Sequence, residues 1–156
     1  MASDLTGTSK EVRGILHDSA AGNRLKILIL DDEPIVGKRL KQAVSKFDVD
    51  VEIFEDPVKA MQRLGEMDFD IVVTDVRMEE FSGIQLLEFI KNRKKKAKVI
   101  VITGYATVEV AREALQKGAF DFIAKPFKPD DLRFAINKAA LSLGHPGILP
   151  SFRGMR

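Results

Sequence analysis

Four groups of residues in this 156-residue chain could do phosphoryl or metal chemistry, and each stands at the end of a short apolar run. Asp31 and Asp32 follow residues 25–30 (LKILIL), and Asp75 closes IVVTD, just after residues 69–73. Thr103 follows residues 99–102, and Lys125 follows residues 120–124. Strands that finish in carboxylate, carboxylate, hydroxyl and amine predict one site at one edge of a parallel sheet. Open α/β sheets bind their ligands there, outside the carboxyl ends of the strands.

Three carboxylates packed together repel, and each pKa rises unless a cation intervenes. A hard divalent ion with oxygen ligands resolves the conflict, and Mg²⁺ suits one or two carboxylates with waters and a phosphate. Lys125 could then pair with Asp75 or with a bound phosphoryl oxygen. The Thr103 hydroxyl could bond a phosphoryl oxygen, with Gly104 leaving room. Plainer readings compete for each residue alone. Asp31 and Asp32 can cap the next helix, Lys125 can be a solvated strand end, and Thr103 can be a turn residue. The force is joint: strands one, three, four and five each end in a suitable group, whereas strand two, at the edge, does not.

The elements that must position these groups alternate along the chain. LKILIL is the run expected of a strand buried on both faces. Pro34 suits the first turn of a helix, and Val36, Leu40, Ala43, Val44 and Phe47 recur at helical spacing. Val49, Val51 and Ile53 alternate as strand two. Asp56-Pro57 reads as cap and first turn of a helix through Ala60, Met61 and Leu64. After strand three, residues 78–83 read as a loop into a helix with Leu86, Leu87 and Ile90 inward. After strand four, Thr107 can cap a helix whose core face is Val110, Ala111, Ala114 and Leu115, ended by Gly118. Pro129 opens a last helix with Leu132, Ala135, Ile136, Ala139 and Leu143 inward, ended by Gly144. Five strands alternating with five helices predict an α/β fold, a doubly wound five-stranded parallel sheet of flavodoxin-like order 2-1-3-4-5. Residues 1–24 read as a flexible N-terminal extension with a weak helical patch near 11–17, residues 25–143 as the domain, and residues 144–156 as a tail.

Bulk properties narrow the class. Hydrophobic residues make up 45% and charged residues 31%, ordinary for a globular domain. A net charge of +2 is too mild to imply nucleic acid. There are no cysteines, which excludes disulfides and thiolate metal sites. Met1 to Lys10 is polar and does not read as a secretory signal. No apolar run nears the ~18 residues of a membrane span, so a cytoplasmic location without membrane contact is expected. Residues 91–98 (KNRKKKAK) hold six basic residues. They read as a solvated helix end, since cations favour helix C-termini and no aromatic interleaves for base stacking. His17 and His145 form no metal spacing.

The set LILDDE, IVVTDVRM, VITGYAT and FDFIAKPF resembles the receiver domain of two-component response regulators over about residues 25–143. The stretch GYATVEVAREALQKGAFDFIAKPF is most similar to receivers that precede ATPase-type, nitrogen-regulatory transcription activators, although no GxxxxGK[ST] pattern occurs here. The resemblance implies that Asp75 is the phosphoacceptor and that Asp31, Asp32, Asp75 and the Arg77 backbone carbonyl hold Mg²⁺. It implies that Thr103 and Lys125 bind the phosphoryl oxygens, and that Thr103 and Phe122 form the switch. Arg77 and Tyr105, two residues beyond Asp75 and Thr103, match positions that tune dephosphorylation. A near-complete switch requires on the order of 5 kcal/mol of differential stabilisation. The implied partners are a histidine kinase or phosphotransfer protein and a downstream effector protein. A homodimer through the fourth helix, fifth strand and fifth helix is a further option, and direct nucleic-acid binding is not expected. Such a protein is not an enzyme beyond its own phosphorylation and dephosphorylation. One departure is Glu79, where the family often has proline.

Other readings are a receiver fragment of a longer transcription regulator, a degenerate receiver that only binds partners, and an aspartate-nucleophile phosphatase. The last wants a second carboxylate two residues after the nucleophile, and Arg77 occupies that place. The complete Asp/Asp/Thr/Lys set argues against a degenerate receiver.

Overall fold

The computed structural model describes residues 24–93, 95–104 and 107–148. The readings made for residues 1–23, Tyr105 and residues 149–156 lie outside these residues. The elements run β1 (Leu25–Leu30), α1 (Pro34–Val44), β2 (Val49–Phe54), α2 (Pro57–Glu66), β3 (Ile71–Asp75), β4 (Arg77–Met78) and β5 (Phe81–Ser82). They continue with α3 (Gly83–Asn92), β6 (Lys98–Thr103), α4 (Val108–Gln116), β7 (Asp121–Ala124) and α5 (Pro129–Ser142).

Five strands form one sheet in the order β2-β1-β3-β6-β7, and every neighbouring pair is parallel. This is the 2-1-3-4-5 order expected from the alternation of strand and helix. Successive strand residues point to opposite faces, and both faces are covered. Ile27 and Ile29 join Leu40 and Val44 of α1 and Leu132, Ile136 and Ala139 of α5 in one core. Leu28 and Leu30 join Leu64 of α2, Leu86, Leu87 and Ile90 of α3, and Ala114 of α4 in the other. Burying an aliphatic side chain of this size contributes about 1.5–3 kcal/mol, which explains why near-continuous apolar runs become central strands.

Local signals fix the helix ends. The Asp56 carboxylate accepts from Val58 N at the start of α2, and the Thr107 hydroxyl accepts from Val110 N at the start of α4. Ser82 and Gln85 form a reciprocal capping box on α3. Gly118 and Gly144 follow α4 and α5 with φ of 100° and 81°, a left-handed conformation that costs glycine nothing.

Three details differ from the sequence reading. Residues 78–83 are not a plain loop: β4 and β5 pair as a small antiparallel ribbon, Arg77 with Ser82 and Met78 with Phe81, and Gly83 already belongs to α3. Leu115 was placed inward but is 52% exposed. The buried stripe of α4 centres on Ala114, with Val110 and Ala111 half-buried, and Leu115 falls one helical step (about 100°) past it. The tail turns back on the domain: Ile148 is buried in the α1–α5 core, and its N–H donates to the Asn137 side chain at 2.9 Å.

Candidate functional site

Register explains why distant residues converge. Leu30 pairs with Thr74, and Asp75 pairs with Ile102. The next residue of the β1 chain, Asp31, therefore stands level with Asp75. Thr103 pairs with Ala124, so Thr103 and Lys125 stand just beyond that level on β6 and β7. The Lys125 N–H donates to the Thr103 carbonyl at 2.8 Å, which ties the two chain ends together.

Lys125 is the hub. Its Nζ donates to Asp75 Oδ2 at 2.7 Å and to Asp31 Oδ2 at 3.1 Å, across sequence separations of 50 and 94 residues. Asp31 and Asp75 are buried. The other Asp31 oxygen accepts from Glu33 N at 2.9 Å, and the other Asp75 oxygen accepts from Arg77 N at 3.1 Å. Asp31 thus does make a local turn bond. The residue that caps α1, however, is Glu33, whose side chain makes no cap bond.

The electrostatics follow from burial. Desolvation is the largest influence on Asp31 and pushes its carboxyl above the ordinary value. The Asp75 charge adds to the rise, while the Glu33 N–H and Lys125 oppose it without cancelling it. Burial also pulls the Lys125 amine down, but the hydrogen bond to Asp75 and the charges of Asp31 and Asp75 outweigh it, so its pKa is raised.

Asp31, Asp32 and Glu33 each place a carboxylate oxygen within 4.8 Å of the others. Three hard oxygen donors beside a site that already recruits an ammonium fit a divalent cation of the Mg²⁺ kind. Asp32 and Glu33 are exposed and can turn toward such an ion. Glu33 was not anticipated as a donor; an acid directly after Asp31-Asp32 was the only signal for it. Arg77 is exposed and pairs with Ser82 in the small ribbon. Thr103 is fully buried. Phe122 stands away from the acidic cluster, level with Val101 on β6 and packed with the α2–α3–α4 core. Thr103 is two residues past Val101 and so shares the sheet face of Phe122.

Two grooves flank the cluster. One, of about 500 Å³, is lined by Val36, Phe127 and Pro129 together with Arg39, Lys46, Lys125 and Arg133. The other, of about 310 Å³, is lined by Asp32, Glu55, Asp56, Glu79 and Glu80 beside Val58 and Phe81. The groove that includes Lys125 is thus lined by basic residues and the one that includes Asp32 by acidic ones. The Lys125–Pro126 peptide beside it is cis, which the sequence reading had not anticipated.

A doubly wound sheet carrying these groups at its carboxyl edge is the architecture of one known protein family. The family model described as response regulator receiver domain matches residues 27–137, and the chain belongs to that family. It is 34% identical over 80% of its length to response regulator protein PilR of Pseudomonas aeruginosa and covers 28% of that protein. It is 36% identical over 74% of its length to chemotaxis protein CheY of Listeria monocytogenes, of which it covers 98%. A solved CheY-like receiver from Methanospirillum hungatei superposes with a TM-score of 0.72 at 29% identity, over 80% of this chain and 99% of that one. The chain spans about a quarter of the length of PilR and of regulatory protein AtoC of Escherichia coli. Receivers of this family typically use Mg²⁺ in an acidic pocket, interact with kinases and effectors, and are generally not catalytic enzymes. No helix among the described residues is long and apolar enough to cross a membrane.

Proposed function

We propose that Asp75 accepts a phosphoryl group from a phosphohistidine donor and that the resulting acyl phosphate changes the protein's contacts with an effector. The observation that carries this reading is the convergence of Lys125 on Asp75 and Asp31 at the carboxyl edge of the sheet. An Asp75 carboxylate oxygen attacks phosphorus, the bond from phosphorus to the donor nitrogen breaks, and the imidazole leaves. Phosphoryl transfer needs positioning and charge neutralisation more than covalent machinery. Lys125 already sits where it can follow the charge from the carboxylate to the phosphoryl oxygens.

Asp31 and Asp32, with Asp75 and the Arg77 carbonyl, hold Mg²⁺ in this reading. When bound, the ion offsets charge on the transferring group. The Arg77 N–H holds Asp75 Oδ1, and in this reading the attacking atom is Oδ2, beside the Lys125 ammonium. The product brings roughly −1.5 to −2 charges to the sheet edge. Thr103 then bonds a phosphoryl oxygen, and Phe122, on the same sheet face, moves into the space vacated. This reshapes the surface of α4, β7 and α5, the face for an effector or a second copy. Arg77 and Tyr105 set the lifetime of the acyl phosphate. The domain spans residues 25–143 in this reading, and the protein works in the cytoplasm. The basic and acidic grooves beside the site give a donor protein two oppositely charged walls to recognise.

The test is incubation with acetyl phosphate. Hydroxylamine-labile phosphate that accumulates only with Mg²⁺ supports the reading, and acid- and hydroxylamine-stable label, or none, contradicts it. A second reading, a receiver unit of a longer transcription regulator, is favoured by the fraction of PilR and AtoC that this chain covers.

A further inference from the structure

The small ribbon after β3 folds the start of α3 back onto the backbone of the phosphoacceptor. The Gly83 N–H donates to the Val76 carbonyl at 2.8 Å. A Cβ at position 83 would lie 2.2 Å from the Asp75 carbonyl oxygen, 3.0 Å from its carbon and 3.2 Å from Val76 Cα. All three neighbours are main chain, so no side chain can swing aside. The buried Thr74 hydroxyl donates to the same Asp75 carbonyl at 3.0 Å. The carbonyl of Asp75 is therefore packed against a residue with no side chain and bonded by a hydroxyl. Two residues on, the Arg77 N–H holds Asp75 Oδ1 at 3.1 Å. Ser82, which pairs with Arg77 and caps α3, closes the ring.

The geometry points to Gly83 and Thr74 as positioning residues for phosphoryl acceptance: together they clamp the Asp75 peptide and so aim its carboxylate. This rests on the reading of Asp75 as phosphoacceptor. A methyl group at position 83 must push the Asp75–Val76 peptide, or the first turn of α3, by about 1 Å to reach ordinary contact. A misplacement of that size at a reacting centre costs about 100-fold in rate.

The experiment compares the rate of labelling by acetyl phosphate with Mg²⁺ in wild type, Gly83→Ala, Thr74→Val and two controls. The controls are Gly65→Ala, where a Cβ meets nothing within 4 Å, and Leu64→Ala, which empties a buried site in α2. Gly83→Ala is expected to be slowed about 100-fold and Thr74→Val about tenfold, with both controls near wild type. The Arg77 amide resonance in ¹H–¹⁵N spectra, taken without phosphodonor, is expected to move in Gly83→Ala and Thr74→Val and to stay in the controls. Should Gly83→Ala not fold, Thr74→Val, nearly the same shape, carries the test. Wild-type rates in the clamp variants, an unmoved Arg77 amide, or slowing in Leu64→Ala equal to theirs would overturn this inference alone. No labelling of wild type would overturn both it and the phosphoacceptor reading.

Discussion

Lys125 Nζ lies 2.7 Å from Asp75 Oδ2 in a pocket where the Asp75 side chain is only 8% exposed. The same ammonium touches Asp31, whose side chain is 2% exposed. One cation thus separates two buried carboxylates, and several expectations rest on that arrangement.

Removing the cation leaves both carboxylates without their main compensation. Breaking a buried ion pair from one side costs about 3–5 kcal/mol. Lys125→Ala is therefore expected to lower unfolding free energy by about 3 kcal/mol in urea titrations with EDTA at pH 7. Because the folded-state pKa of Lys125 is raised, its contribution is complete below the unfolded value of 10.5 and fades only as pH climbs through the folded value. The deficit should accordingly be constant across neutral pH. An unchanged stability would mean the ion pair is idle.

Asp31 is shifted in the same direction, but its window lies in the acid range. Its folded pKa lies above the ordinary 3.8, chiefly through burial, so the folded state binds the proton more tightly than the unfolded chain does. Its contribution to stability is favourable at low pH and is lost as pH rises from 3.8 through the folded value. Asp31→Asn is expected to be more stable than wild type at pH 7 in EDTA. The difference should shrink as pH falls toward 3.8. Paired thermal melts across pH 4–7 check this, and a variant less stable than wild type at pH 7 would refute it.

How far the sequence led can be judged at this same edge. The runs LKILIL and IVVTD locate central strands because parallel strands are buried on both faces and tolerate no alternation. The order of strands then follows from handedness and brings Asp31 level with Asp75. The ribbon of β4 and β5 was illegible: two residues per strand carry no period, and Glu79-Glu80 shows no turn signal such as Asn-Gly. Ile148 was missed because a lone apolar residue in a Gly/Pro-bearing tail has no partner in its own neighbourhood. Its anchor, Asn137, sits on α5. The clamp on the Asp75 peptide was likewise hidden, since Gly83 is defined by what lies above it rather than by its neighbours in the chain.

The three adjacent acids separate by what they face. Asp31 is buried against Lys125, whereas Asp32 and Glu33 are exposed within reach of a shared cation. Asp32→Ala is expected to weaken Mg²⁺ about tenfold or more, the scale of loss seen when support for a metal site is removed. Glu33→Ala is expected to weaken it less, and neither change should lower stability without metal. Calorimetric titration checks the order, and unchanged affinity in Asp32→Ala would remove that residue from the ligand set.

Thr103 and Phe122 share a sheet face without sharing the acidic cluster. If the hydroxyl reports the phosphoryl group to the ring, Phe122 aromatic resonances should shift on phosphorylation of wild type. In Thr103→Ala they should stay fixed even though the label is acquired. Equal shifts in both proteins would assign the switch elsewhere.

The central claim is that Asp75, and no other carboxylate at this edge, takes the phosphoryl group. Intact mass after acetyl phosphate with Mg²⁺ tests it most directly. Wild type should gain one phosphoryl group, and Asp75→Asn should gain none while remaining folded. Equal labelling of the two proteins would contradict the account.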